Sequence, residues 1–285
     1  MNTKRDLSLI NAVASAFLAY FFTIPFHEFI HFVTFYIYGH KVKYYSAGSV
    51  GPIYSYDLHE LSPFHRVMAA GGSASITNAI IGIVLFAVLI KVRRMAPFLR
   101  LFLTQLAFGQ LLEGFGYFLI GGLFATGDWG NVFSYFDKSP GTVTVMRIIL
   151  SVIGVVSSFI LLYLMTYIPY DFIEDPSDKT QRRNVAVRVN LTLGLTGVIV
   201  GFLGDLQIPE VRNGWLPLWL FLLYKLMWVL VLVAFFYVWG GIMAKPPAES
   251  RQKCAIPADP HPVLWGIALV LILIDIFIFG PGIYL

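Results

Sequence analysis

The chain has 285 residues, of which 58% are hydrophobic and only 13% are charged, and its mean hydropathy is +0.74. This composition excludes an ordinary water-soluble domain. A net charge of +4 could suggest a nucleic-acid partner. The distribution of the basic residues argues against one, because they recur beside alternate ends of apolar segments and do not form one basic face. Cys254 is the only cysteine, which excludes an internal disulfide and a multi-cysteine zinc site.

Seven segments are apolar and long enough to cross a bilayer, since a spanning helix needs about 20 residues. They cover approximately residues 7–38, 66–91, 97–123, 141–168, 187–206, 215–243 and 262–284. The predicted fold class is therefore all-α: a polytopic transmembrane helical bundle that forms a single integral-membrane domain over residues 1–285. Most basic residues fall on one side of this bundle when the N-terminus is placed in the cytoplasm, so we expect a cytoplasmic N-terminus.

The first segment contains Pro25, two residues before a histidine. Because proline has no amide hydrogen and suits the first turn of a helix, we expect a kink here, with the helix restarting near Pro25. The loop that follows has two β-forming stretches, residues 41–45 and 53–56. They predict a small β-hairpin after the first span, with its turn residues among Gly48, Gly51 and Pro52.

The first segment also carries an HExxH pattern, formed by His27, Glu28 and His31. Histidines at i and i+4 lie on one helical face and can bind one zinc ion, with the glutamate close to the metal-bound water. Zinc lowers the pKa of its water from about 15.7 towards 7 and polarises a carbonyl, and a glutamate can act as the general base. Such side chains are costly in hydrocarbon and usually mark function. We predict one catalytic Zn²⁺ per chain, with two histidine ligands and Glu28 as the base.

A catalytic zinc site keeps three protein ligands and one open position, so a third ligand must come from elsewhere in the chain. Two aspartates fit this role. Asp128 lies in a glycine-flanked stretch after the third span, and Asp205 lies at the end of the fifth. The residue pattern alone leaves both open.

With these motifs the chain resembles the site-2 protease family of intramembrane zinc metalloproteases, over about residues 20–135. In that family an HExxH helix and a later aspartate beside glycine bind zinc, which implies Asp128 as the third ligand here. The segment 70–78 is similar to the family's glycine–proline segment ending in asparagine, which implies that Asn78 contacts the substrate backbone or the oxyanion. Two features depart from the family pattern: Trp129 follows the aspartate, and no proline follows the glycine pair at 71 and 72.

The resemblance implies an endopeptidase with a protease core within residues 7–135 and further helices of unassigned role over residues 141–285. Its partners would be the lipid bilayer and a transmembrane or membrane-proximal segment of another protein. That segment must unwind to expose its carbonyls, and the predicted hairpin could hold it by strand addition. The alternative is a zinc-binding scaffold without peptidase activity. A metal transporter would need more intramembrane polar groups than Glu113, Lys225 and Asp275, of which we expect the last two to pair.

Overall fold

The computed structural model describes residues 9–46, 50–52, 60–92, 94–136, 138–167, 171–173, 175, 177–205, 260–279 and 283–284, with isolated positions between 226 and 238. In chain order the helices are α1 (Leu9–Phe21), α2 (Ile24–Ile37), α3 (Pro63–Val67), α4 (Ser73–Lys91), α5 (Pro97–Phe124), α6 (Gly127–Ser134), α7 (Pro140–Tyr167), α8 (Lys179–Asp205) and α9 (Pro262–Ile274). Two π-helical turns, Met68–Gly72 and Asp275–Phe279, precede α4 and extend α9. The described strands are β1 (Val42–Tyr45), β2 (Val50–Pro52) and β3 (Ile283–Tyr284).

Among the described residues, five helical segments are long and apolar enough to cross a membrane: Leu9–Ile37, Pro63–Lys91, Pro97–Phe124, Pro140–Leu161 and Pro262–Phe279. The chain is thus a helical membrane protein, and these segments correspond to the first four predicted spans and the last one. The fifth predicted span falls within α8, which is not among the five. The sixth, residues 215–243, lies outside the described residues except at isolated positions.

The first span is broken between α1 and α2 at Phe22 and Thr23, and Pro25 lies in the first turn of α2 as expected. Gln110 of α5 donates its side-chain amide to the Phe22 carbonyl at 2.7 Å, which satisfies an acceptor at the break. Beside it, a Cβ atom at Gly109 would lie only 2.6 Å from the Thr23 hydroxyl oxygen. The break therefore packs closely against α5.

Helix α5 lies at the centre of the described helices because glycines on several of its faces allow close approach. A Cβ atom at Gly114 would lie 2.5 Å from a backbone nitrogen of α4, and one at Gly122 would lie 2.5 Å from a backbone nitrogen of α7. Gly121 makes similar room for Trp129 of α6. Large apolar side chains of α5, including Phe108, are fully buried between these contacts. Small residues of this kind are the usual means of close helix packing in membranes.

A buried ion pair joins the end of α4 and the start of α5 to the segment after α7. Arg100 donates through Nε to Asp171 Oδ2 at 2.7 Å, and both residues are 2% exposed. The same guanidinium donates to the carbonyls of Leu89 and Val92 at the end of α4. Arg100 thereby satisfies carbonyls that the helix itself leaves without partners.

The three strands form a sheet in the order β2-β1-β3, with β1 antiparallel to both neighbours. Gly51 and Pro52, which the sequence placed in a turn, belong to β2, while residues 53–56 lie outside the described residues. The last helix ends at Phe279, so the predicted span of 262–284 was too long. The sequence Gly-Pro-Gly at 280–282 accounts for this, since proline and glycine interrupt a helix, and the next residues pair with β1 instead.

Candidate metal centre

Helix α2 carries all three residues of the HExxH pattern, and all three are buried. His27, Glu28 and His31 are 1%, 8% and 6% exposed. The two histidine rings lie one turn apart, with their centroids separated by 5.0 Å. As expected from the i, i+4 spacing, the two rings occupy one face of the helix.

Asp128 lies directly against both histidines. Its Oδ2 atom is 2.8 Å from His27 Nε2 and 3.1 Å from His31 Nε2. In tetrahedral zinc sites the metal–ligand distances of about 2.0–2.2 Å place ligand atoms roughly 3.3 Å apart. Asp128 Oδ2 therefore needs to move away from the two nitrogens by only a few tenths of an ångström to hold such an ion. Two imidazoles and a carboxylate also form a donor set common in catalytic zinc sites, which leave a fourth position open.

The position of Asp128 depends on two glycines. Gly127 begins α6 with a φ of +63°, a left-handed conformation that glycine adopts without strain. Gly71, in the π-helical turn before α4, lies so close that a Cβ atom there would be 3.1 Å from Asp128 Cβ. Burial alone would raise the pKa of Asp128, but its hydrogen bonds with His27 and His31 outweigh that effect and lower the pKa well below its usual range. The carboxylate therefore stays ionised, which is the form that binds a metal.

Neighbouring groups orient both histidine rings. In the tautomer protonated on Nδ1, His31 donates to the Ala69 carbonyl at 3.2 Å, which directs Nε2 towards Asp128. Metal-binding histidines usually have such a partner for their second nitrogen. The His27 ring stacks on Tyr117 of α5, with centroids 4.9 Å apart and planes 19° apart. His27 Nδ1 is buried and has no hydrogen-bond partner among the described residues.

Comparison of the chain with protein-family models, curated proteins and solved structures finds no match. The arrangement of the site therefore has to be interpreted from its own geometry. Glu28 follows His27 directly on α2 and is buried, and it is not one of the three converging groups.

The remaining predicted site residues are less closely tied to the cluster. Asn78 is fully buried on α4, and neither atom of its side-chain amide has a hydrogen-bond partner in the described part of the chain. Asp205 ends α8, and its side chain is outside what the structure describes. Sequence reasoning did not identify Tyr117 or the Ala69 carbonyl as supports of the histidines, because both contacts are formed by packing between separate helices.

Proposed function

We propose that this protein is an intramembrane zinc metalloendopeptidase, a divergent member of the site-2 protease family, that hydrolyses peptide bonds in or near transmembrane segments of other membrane proteins. The observation that carries the proposal is the convergence of His27, His31 and Asp128, which come from elements about 100 residues apart. A buried cluster of this kind inside an apolar bundle is costly unless it has a function. The adjacent Glu28 favours an enzyme, because metal binding alone does not require it.

In this proposal His27 Nε2, His31 Nε2 and Asp128 Oδ2 would hold the ion. Bound there, zinc would supply a Lewis acid for the scissile carbonyl and would lower the pKa of a water molecule. Glu28 would act as the general base and would return the proton to the leaving amine. Asp128, kept ionised, balances part of the positive charge. The buried surroundings of these groups strengthen each electrostatic interaction, because little water is present to screen them.

Metal content of the purified protein tests the ligand assignment. Zinc is measured by mass spectrometry of the detergent-solubilised wild type and of His27→Ala, Asp128→Ala, Glu28→Gln and Asp205→Ala. We expect about one zinc per chain in the wild type, in Glu28→Gln and in Asp205→Ala, which serves as the matched aspartate control. We expect little zinc in the other two variants. A folded wild type that takes up no zinc would refute the proposal, and zinc loss in Asp205→Ala alone would refute the choice of aspartate.

Turnover requires a separate experiment. Protein termini are quantified by mass spectrometry in membranes from cells that express either the wild type or Glu28→Gln at equal levels. We expect new termini within or beside transmembrane segments only with the wild type, because Glu28→Gln keeps the metal ligands but cannot accept the proton. Zinc binding without any termini that depend on Glu28 would contradict the peptidase and support a zinc-binding scaffold.

A further inference from the structure

An apolar groove of about 390 Å³ runs along the face of α2 opposite His27 and His31. Pro25, Phe29 and Phe32 of α2 form one wall. Across the groove lie Tyr45 of β1 and Ile283 of β3, together with Phe279 at the end of the second π-helical turn. The groove therefore separates the motif helix from the sheet and is lined almost entirely by apolar and aromatic side chains.

Glu28 lies between this groove and the metal cluster. Successive residues of an α-helix are about 100° apart around the helix axis. Around this axis the Glu28 position is therefore roughly 60° from His31 on one side and roughly 40° from Phe32 on the other. Tyr45 connects the two sides, since its hydroxyl donates to the Pro25 carbonyl at 2.6 Å. Burial and the charges of Glu28 and Asp275 raise the pKa of Tyr45, so its hydroxyl stays protonated and keeps this hydrogen bond. A backbone lying in the groove along β1 would therefore be next to the proposed general base.

The edge of β1 that faces this groove is covered by the chain itself. Tyr44 pairs with Tyr284 and Tyr45 pairs with Ile283, in antiparallel orientation. Ile283 thereby lines the groove, although it is still 37% exposed. An extended peptide bound by strand addition would use the same edge of β1, with its main chain giving affinity and alternate side chains filling the pocket. Strand β3 therefore occupies the place of such a peptide.

The connection between α9 and β3 has features of an element that can be released. The π-helical turn begins at Asp275, which is 2% exposed, and neither of its carboxyl oxygens has a hydrogen-bond partner among the described residues. The expected partner, Lys225, lies outside the described residues. A buried carboxyl without a hydrogen bond is costly, and π-helical turns occur frequently at functional sites. The described pairing of β3 also covers only two residues.

We propose that β3 is a built-in competitor of the substrate. An extended apolar peptide segment, with a β-branched or aromatic side chain where Ile283 now lies, displaces β3 and pairs with β1. The displacement brings the peptide backbone beside Glu28. With β3 in place the enzyme is autoinhibited. This inference rests on the proposed peptidase function, because it names the regulation and the peptide class of the same site.

A reversible disulfide tests the displacement in the full-length chain. Tyr44→Cys and Tyr284→Cys are combined with Cys254→Ser and with Glu28→Gln, which prevents hydrolysis. Directly opposed residues of an antiparallel pair have Cα atoms about 4.5–5.5 Å apart, within the range of about 4.4–6.8 Å that a disulfide bridges. The probe is a fluorescent peptide with the sequence of residues 279–285, Phe-Gly-Pro-Gly-Ile-Tyr-Leu. Binding is measured by fluorescence anisotropy with the protein in lipid nanodiscs.

We expect oxidation to weaken peptide binding at least tenfold and reduction to restore it, while each single-cysteine variant is unaffected by oxidation. A release variant, Ile283→Pro with Tyr284→Pro, should bind the peptide at least tenfold more tightly, since proline lacks the amide hydrogen that strand pairing uses. A peptide methylated on the Ile and Tyr backbone nitrogens should not bind.

Equal binding by the oxidised and reduced forms would overturn the inference, as would failure of both the reduced form and the release variant to bind. Zinc content is measured on the same samples. If the disulfide controls peptide binding but the protein contains no zinc, the competition by β3 is supported and the proposed peptidase function is refuted. If the protein contains zinc but the disulfide does not affect peptide binding, the metal site is supported and the competition by β3 is refuted.

Discussion

Replacing Gly71 with alanine should weaken zinc binding without unfolding the protein. The new Cβ would lie 3.1 Å from Asp128 Cβ and 3.2 Å from the carbonyl carbon and oxygen of the same residue. Asp128 must then shift by a few tenths of an ångström. Metal sites tolerate ligand displacements of about 0.2 Å. We therefore expect the zinc Kd to rise about 10–100-fold, as for other changes to groups that orient metal ligands, which is roughly 1.4–2.7 kcal/mol.

Competition with a chromogenic zinc chelator, followed by absorbance, measures this Kd in the detergent-solubilised protein. Gly72→Ala is the matched control, because its Cβ would be 3.2 Å from Met68 Sδ and 3.2 Å from the Val67 carbonyl oxygen, and none of its three nearest atoms belongs to the aspartate. Gly116→Ala, whose Cβ would meet nothing within 4 Å, measures the effect of helix propensity alone. The reasoning is refuted if Gly71→Ala keeps the wild-type Kd, or if Gly72→Ala weakens zinc binding as strongly.

Arg100→Met should lower the free energy of unfolding by about 3 kcal/mol, because it removes the cation that is paired with the buried Asp171 carboxylate. The double variant Arg100→Met with Asp171→Leu should recover part of that loss. Denaturant unfolding followed by circular dichroism checks both, and equal stabilities of the single and double variants would contradict the ion-pair argument. Gly114→Ala should lower the thermal unfolding temperature because its Cβ would press on the α4 backbone, an expectation that fails if it behaves like Gly116→Ala. Tyr117→Ala should raise the zinc Kd several-fold by removing the ring stacked on His27, at about 1 kcal/mol, whereas Tyr117→Phe should not; the chelator assay distinguishes them.

Local chemistry made part of this architecture predictable. The absence of an amide hydrogen in proline is sufficient to place the break before Pro25. The helical repeat is likewise sufficient to bring His27 and His31 to one face. Hydropathy located the five candidate spans, since the cost of burying polar groups in lipid depends on composition.

The unpredicted features depend on contacts between distant residues. The residue pattern alone left both Asp128 and Asp205 open, and only the family resemblance favoured Asp128. Its approach to the two histidines depends on the packing of α6 against the turn that contains Gly71. Likewise Ile283 follows an apolar helix and is itself apolar, so hydropathy assigned it to the last span. Only its pairing with β1 shows that it belongs to a strand. Composition predicts whether a segment lies in lipid or in water. Both of these outcomes depend instead on which other part of the chain packs against the segment.

The order of the elements along the chain has a consequence for biosynthesis. The three converging groups and the residues that orient them all precede α7, whereas strand β3, which covers the β1 edge, follows every described helix. Because chains emerge from the ribosome N-terminus first and fold progressively, the histidine–aspartate cluster can assemble while that edge is still uncovered. An uncovered edge readily pairs with other strands. A nascent chain would therefore be most prone to bind foreign segments during this interval, before residues 283–284 arrive.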